Sequence, residues 1–179
     1  MAAYYRFVYG NGGCYMKIAC SHPIENQRQQ AVETFKKLDP RLKANFSFAA
    51  RILQTVAKTS VTGFSLLDNQ RHLFAPAFGD VLIESHRPQT FCAHTVLSET
   101  VFVIEDASRN EDFHDSPFVI GEPYVRFYAG IAIRSPSRLP IGALCAIDSS
   151  PRKLDRSVTE VLQDLREMLE NDLCLAWTD

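Results

Sequence analysis

The spacing of apolar residues divides the 179-residue chain into helical and extended stretches. In "IENQRQQAVETFKKL" (24–38), Ile24, Ala31, Val32, Phe35 and Leu38 recur at helical spacing, and Pro40 closes the run. "NFSFAARILQTVAK" (45–58) repeats that spacing with Phe46, Ala49, Ala50, Leu53 and the Val56/Ala57 pair on one face, and Asn45 is the expected N-cap. The period then shortens. "VTGFSLLD" (61–68) and "RHLFAPAF" (71–78) read as strands joined by a turn at "DNQ", with Pro76 weakening the second as an internal strand. Residues 79–90, with Gly79 and Pro88, read as a looser segment. "VFVIEDA" (101–107) is a strand ending in acids, and 108–123 a polar loop with one helical turn. "YVRFYAGIAIRS" (124–135) and "PIGALCAIDS" (140–149) are the clearest strands. In the first of them Phe127, Ala129, Ile131 and Ile133 share one face, and Arg126, Tyr128 and Gly130 the other. The last run, 157–176, carries an apolar stripe of Val158, Val161, Leu162, Leu165, Met168, Leu169 and Leu173, opened by a Ser157/Glu160 capping box.

Helix, helix, consecutive strands and a long final helix make an α+β protein with an antiparallel sheet, because strict βαβ alternation is missing. Residues 22–179 form the single expected domain. Residues 1–21 are an N-terminal extension, in which the Asn11-Gly12 pair between aromatic runs suits either a short hairpin over 4–19 or a poorly ordered tail. The apolar stripe on 158–173 suits packing on the sheet or a dimer surface equally well.

Composition narrows the function classes. A net charge of −2 and scattered Lys and Arg argue against a nucleic-acid binder. No apolar run approaches the length of a membrane span, and the N-terminus lacks the continuous apolar core of a signal peptide. The five cysteines, Cys14, Cys20, Cys92, Cys145 and Cys174, are odd in number and widely spaced, as expected of reduced thiols in the cytoplasm.

Four groups could carry chemistry. "FCAHTV" (91–96) places Cys92 and His94 two apart; they share a side if extended and diverge on a helix. Without a nucleophile elbow around Cys92, the expectation is a buried thiol and a histidine bonded to a backbone carbonyl. "EDFHDSP" (111–117), with His94 and Asp106, offers metal-ligand residue types, but its spacing follows no ligand pattern and Asp112 and Asp115 suit the turn before Pro117. No metal site is expected. Arg126 reads as a structural ion pair with Glu105, Asp106 or Asp112, or as an anion clamp. Cys92 and Cys145 could oxidise reversibly if their segments meet in the core.

"TFCAHTV" (90–96), "VFVIEDASRNEDFHDSPFV" (101–119), "PYVRFYAGIAI" (123–133) and "IGALCAIDSSPRKL" (141–154), in that order, resemble the GAF domain family. The branch they are most similar to is the bacterial sensor type of histidine kinases and diguanylate cyclases. "HPIENQ" (22–27) and "SLLDNQRHLF" (65–74) resemble the start of the same module. The resemblance implies a central antiparallel sheet of about six strands, with N- and C-terminal helices on one face and loops and short helices over a small-molecule pocket on the other. Asp112 before Phe113, Ser116 before Pro117 and the "SPSRLP" loop depart from the family's pattern near the implied pocket rim.

The function so implied is a non-catalytic sensory module, binding a small molecule or dimerising, with partners met through the terminal helices. Ligand-binding candidates are His94, Asp106, Phe113, Arg126 and Tyr128, with Arg126 meeting an anionic group, Tyr128 and Phe113 covering the ligand, and Asp106 and His94 giving polar contacts. No covalently bound cofactor is expected. Two alternatives stay open: a thiol-based redox sensor or reductase using Cys92 or Cys145, and a pure interaction module with a filled core. No kinase or cyclase motif is present, so an output is expected in a partner or in neighbouring domains.

Overall fold

In the computed structural model, which describes residues 17–78 and 83–177, Asp39 and Pro40 separate two helices. Helix α1 (Glu25–Lys37) stops short of them, and α2 (Pro40–Ala57) starts on the proline, where a missing N–H costs nothing. The Asp39 carboxylate accepts the Arg41 backbone N–H at 2.7 Å. This corrects the expected start at Asn45, which lies within α2 and donates its side-chain amide to Asp172 at 2.8 Å. The hairpin expected over 4–19 falls outside the described residues, apart from residues 17–19, which have no regular structure.

Six strands form one antiparallel sheet: β1 (Val61–Asp68), β2 (Arg71–Pro76), β3 (Ile83–His86), β4 (Phe102–Ile104), β5 (Phe127–Arg134) and β6 (Pro140–Asp148). Their spatial order is β3-β2-β1-β6-β5-β4. β3 lies in the segment expected to be loose. It is a four-residue edge strand whose one large apolar residue, Ile83, is exposed, so it carries no alternation to read.

Alternation along the central strands sends side chains to two cores. On one face Phe127, Ala129, Ile131 and Ile133 of β5, Phe64 and Leu66 of β1, and Leu144 and Ala146 of β6 meet α1, α2 and α5 (Arg156–Ala176). Val158, Leu162, Leu165, Leu169 and Leu173 are all buried there, so the stripe on α5 packs inward on the sheet. Asp155, not Ser157, caps α5: its carboxylate accepts the Ser157 N–H at 2.8 Å, which corrects the expected Ser157/Glu160 box.

On the opposite face Leu67, Phe74, Tyr128, Ala143 and Cys145 project into a second core. It is closed by α3 (Phe91–Thr95), α4 (Pro117–Ile120) and the loop between β4 and β5. Among the described residues, no helix is long and apolar enough to cross a membrane.

Candidate functional site

The "FCAHT" segment is a single helical turn, α3, started by Thr90, whose hydroxyl accepts the Ala93 N–H at 3.3 Å. Helical geometry therefore splits Cys92 from His94. His94 turns to the rim, where its Nε2–H donates to the Lys17 carbonyl at 3.0 Å. Its ring stacks on Phe102 at 6.0 Å and meets the edge of Phe113 at 4.8 Å. Burial pushes its pKa below the usual imidazole value.

Cys92 turns the other way, down onto the sheet, and is 3% exposed. Its sulfur lies 3.9 Å from that of Cys145, which β6 presents from below. Ser65 Oγ stands 3.1 Å from Cys92 Sγ. His72 Nε2 stands 2.9 Å from the same hydroxyl, and its Nδ1 2.9 Å from Ser85 Oγ. The sheet register explains this set. β1 and β2 pair Leu67 with His72 and Ser65 with Phe74, so Ser65 and His72 are diagonal neighbours on one face. Tyr128 of β5 completes the ring around the sulfur. Its hydroxyl donates to Cys92 Sγ at 3.3 Å and lies 2.7 Å from Thr95 Oγ1.

These contacts divide the two thiols. Burial opposes charge on Cys92, but the neighbouring Cys145, His72 and Ser65 outweigh it and the net direction is downward. Cys145 moves the opposite way, raised by its bond to Cys92 and by burial. Burial and the neighbouring thiols raise Tyr128 as well.

The ligand-binding candidates separate into two groups. His94, Phe113 and Tyr128 come together in one aromatic cluster with Phe91 and Phe102. Phe113 is 3% exposed and Tyr128 fully buried, so the surfaces expected to cover a ligand are engaged by protein rings. Asp106 and Arg126 lie together through the backbone, the Ala107 N–H donating to the Arg126 carbonyl. Their side chains go elsewhere. Asp106 accepts from the backbone N–H and hydroxyl of Ser108 at 3.1 and 2.6 Å. Arg126 donates to the carbonyls of Val119 and Val125 at 2.9 and 3.0 Å. This replaces the expected ion pair: Glu105 accepts from the Leu154 N–H and Asp112 pairs with Lys17 at 3.0 Å.

Ser65, His72 and Thr95 were not among the sequence candidates. A signal for the first two exists in "VTGFSLLDNQRHLF", where a serine and a histidine fall on the same face of a tight hairpin otherwise rich in Leu and Phe.

A family model described as "GAF domain" matches residues 41–173. A cyclic di-GMP phosphodiesterase of Pseudomonas aeruginosa is 34% identical over 128 residues, which is 72% of this chain and 22% of that protein's length. Among solved structures, the GAF domain of an Acinetobacter phosphoenolpyruvate-protein phosphotransferase gives a TM-score of 0.61 at 17% identity, covering 86% of this chain and 95% of that one. A free methionine-R-sulfoxide reductase from Neisseria meningitidis gives 0.59 at 18% identity, covering 90% and 96%. Residues 122 to 287 of a methyl-accepting chemotaxis protein give 0.59 at 16% identity, covering 82% and 96%. At these identities the structures share the fold.

Proposed function

The chain belongs to the GAF domain family, and from that premise we propose that it is a non-catalytic sensory module of the cytoplasm. A change on the α3 face of the sheet alters the helical face, through which the module dimerises or meets a signalling partner. One observation carries this reading: Arg134, 4% exposed, joins the two faces. Its guanidinium donates to Ser98 O at 3.0 Å and Glu99 Oε2 at 3.1 Å, in the loop leaving α3. Its backbone N–H donates to Glu170 Oε1 of α5 at 3.0 Å. Arg166 of α5 reaches the same loop at the Glu99 carbonyl, 3.3 Å away. A displacement of α3 therefore pulls on α5 through bonded groups, and an input that favours one position of α3 shifts the position of α5.

The kinship supports a regulatory role. The Pseudomonas relative is named for cyclic di-GMP hydrolysis, and this chain spans 22% of it. A small-molecule input would enter at His94, Phe113 and Tyr128, parting the aromatic cluster. The burial of the thiols supports the non-catalytic reading over a reductase of a larger substrate: Cys92 is 3% exposed, and its Sγ faces Ser65, Tyr128 and Cys145.

Hydrogen exchange read by mass spectrometry tests the transmission. Val96→Ala trims the α3 face, where Val96 is 2% exposed. The expected result is faster exchange in the part of α5 around Arg166 and Glu170 than in α2, which serves as the internal reference. Equal loosening of α2 and α5 would sink the reading. Native mass spectrometry of freshly purified protein adds the bound mass and the oligomeric state.

A further inference from the structure

We propose that Cys92 and Cys145 are a peroxide-oxidisable dithiol, with His72 acting through the Ser65 hydroxyl as the base that activates Cys92. The observation is a continuous chain of polar groups that runs from the second core out to the edge strand β3. Cys92 Sγ, Ser65 Oγ, His72 and Ser85 Oγ follow one another at 3.1, 2.9 and 2.9 Å. One pattern of protons satisfies every link: the thiol donates to Ser65, Ser65 donates to Nε2 of a neutral imidazole, and Nδ1–H donates to Ser85. Moving the thiol proton to Ser65 and the Ser65 proton to Nε2, with the Nδ1–H still donating to Ser85, gives a Cys92 thiolate and an imidazolium. Tyr128 already directs its hydroxyl at the sulfur and stabilises the charge. A structural histidine would need a partner on each nitrogen, but it would not need a hydroxyl that also touches a thiol, nor a second thiol 3.9 Å beyond.

The chemistry closes without a further cofactor. The Cys92 thiolate attacks one oxygen of a hydroperoxide; the S–O bond forms, the O–O bond breaks, and the departing oxygen takes the proton from His72 through Ser65. Cys92 is then a sulfenic acid. The Cys145 sulfur attacks it, the S–S bond forms, the S–O bond breaks, and hydroxide leaves as water with the Cys145 proton. The sum is two thiols and one hydroperoxide giving one disulfide, one alcohol or water, and one water. An external dithiol reverses it. The two sulfurs must close from 3.9 Å to about 2.05 Å. That motion draws α3 towards β6 and takes Cys92 away from Ser65 and Tyr128. Hydrogen peroxide is small enough to reach the sulfur during local opening of a helix as short as α3.

The inference deepens the sensory reading by naming an input, and rests on that reading only for the consequence in α5. The test treats the full-length protein with hydrogen peroxide and maps peptides without reduction. A Cys92-containing peptide linked to a Cys145-containing peptide, 2 Da lighter than the sum and separated again by dithiothreitol, is expected, apart from adducts on exposed Cys20 and Cys174. His72→Gln should slow formation of the link by about 10²-fold and move its pH profile upward towards that of an ordinary thiol. A folded wild-type protein that oxidises at Cys20 and Cys174 but gives no 92–145 link overturns the proposal. So does a folded His72→Gln protein with the wild-type rate and pH profile. A link that forms with unchanged α5 exchange upholds the dithiol chemistry and overturns the sensory reading instead.

Discussion

Arg28 Nη2 donates to the carbonyl oxygen of Leu67 at 2.7 Å, from a side chain with no exposed surface. Nη1 of the same group reaches Pro140 O at 3.2 Å, so one guanidinium pins α1 to the ends of β1 and β6 together. Glu25 balances its charge with two bonds of 2.9 Å. Arg28→Met would keep the volume but leave two strand-end carbonyls without their donor. The expected loss is about 3 kcal/mol, since buried unsatisfied acceptors and a broken ion pair add. A urea denaturation midpoint at constant slope measures it. A loss below about 0.5 kcal/mol would mean that water replaces the guanidinium.

Acid sensitivity follows from the same cluster. Burial alone would raise the Glu25 pKa, but hydrogen bonds from Arg28, Arg87 and Gln29 outweigh it and hold the carboxyl well below the usual range. Asp68 is depressed too, burial being outweighed by Lys36 and Arg71. A carboxyl whose folded pKa is depressed stabilises the fold fully above its unfolded pKa, about 4, and loses that contribution as pH falls through the folded value. Stability should therefore fall steeply below about pH 4.5. Glu25→Gln should flatten that limb while lowering stability at pH 7. Thermal unfolding across pH 3 to 7 reads both effects, and an unchanged acid limb in Glu25→Gln would refute the assignment.

The reach of the sequence shows in particular residues. Phe127, Ala129, Ile131 and Ile133 alternate with Tyr128, and both faces of β5 were legible because a buried strand has a strict period of two. The stripe on α5 was legible for the analogous helical reason, though packing alone decided that it faces the sheet. "FCAHT" is too short for any period to declare itself, and the helix that splits Cys92 from His94 depends on Thr90. Arg28 sat in plain view between Glu25 and Ala31. Nothing local says that an arginine on an apolar helix face will find two carbonyls from distant strands. The pairing of Cys92 with Cys145 is likewise non-local, joining a helical turn to a strand 53 residues later.

Gly130 makes room for Tyr128. A Cβ at residue 130 would run into the Tyr128 hydroxyl oxygen and stand 2.8 Å from the ring carbon that bears it. The ring is fully buried and cannot swing aside, so Gly130→Ala should cost about 1–3 kcal/mol through overpacking. It should also displace the hydroxyl from Cys92 and Thr95. In a Tyr128→Ala background the three nearest atoms that the Cβ would meet are gone, and the same change should cost much less. Additive costs in this double-mutant cycle would show that the glycine answers to something other than the tyrosine.

The start of α5 offers a test of local chemistry. Asp155 accepts both the backbone N–H and the hydroxyl of Ser157, at 2.8 and 2.9 Å. Those two bonds, the backbone one first, depress its carboxyl. Asp155→Ala should lower the thermal midpoint more than Ser157→Ala, whose side chain gives up one exposed bond. The reverse order would restore the Ser157/Glu160 capping box.

Glu99 and Glu170 both bond Arg134, but their surroundings predict different costs. Glu99 is 84% exposed, so its contact with the guanidinium competes with water and salt, and Glu99→Ala should change stability by less than about 0.5 kcal/mol. The Ser98 carbonyl keeps Arg134 in place in that variant. Glu170 is 15% exposed and accepts from both the Arg134 backbone N–H and the Arg138 guanidinium at 3.0 and 3.2 Å. Its removal leaves the N–H of a buried strand residue without its partner, and Glu170→Ala should cost about 1–2 kcal/mol. At Arg134 the link between the two faces then depends on Glu170 and on Ser98, with the Glu99 side chain adding little. Measured by urea denaturation, equal costs for the two variants would show that the Arg134 junction is solvated on both sides, and the path from α3 to α5 would have to run through the sheet or the Arg166 bond to the Glu99 carbonyl.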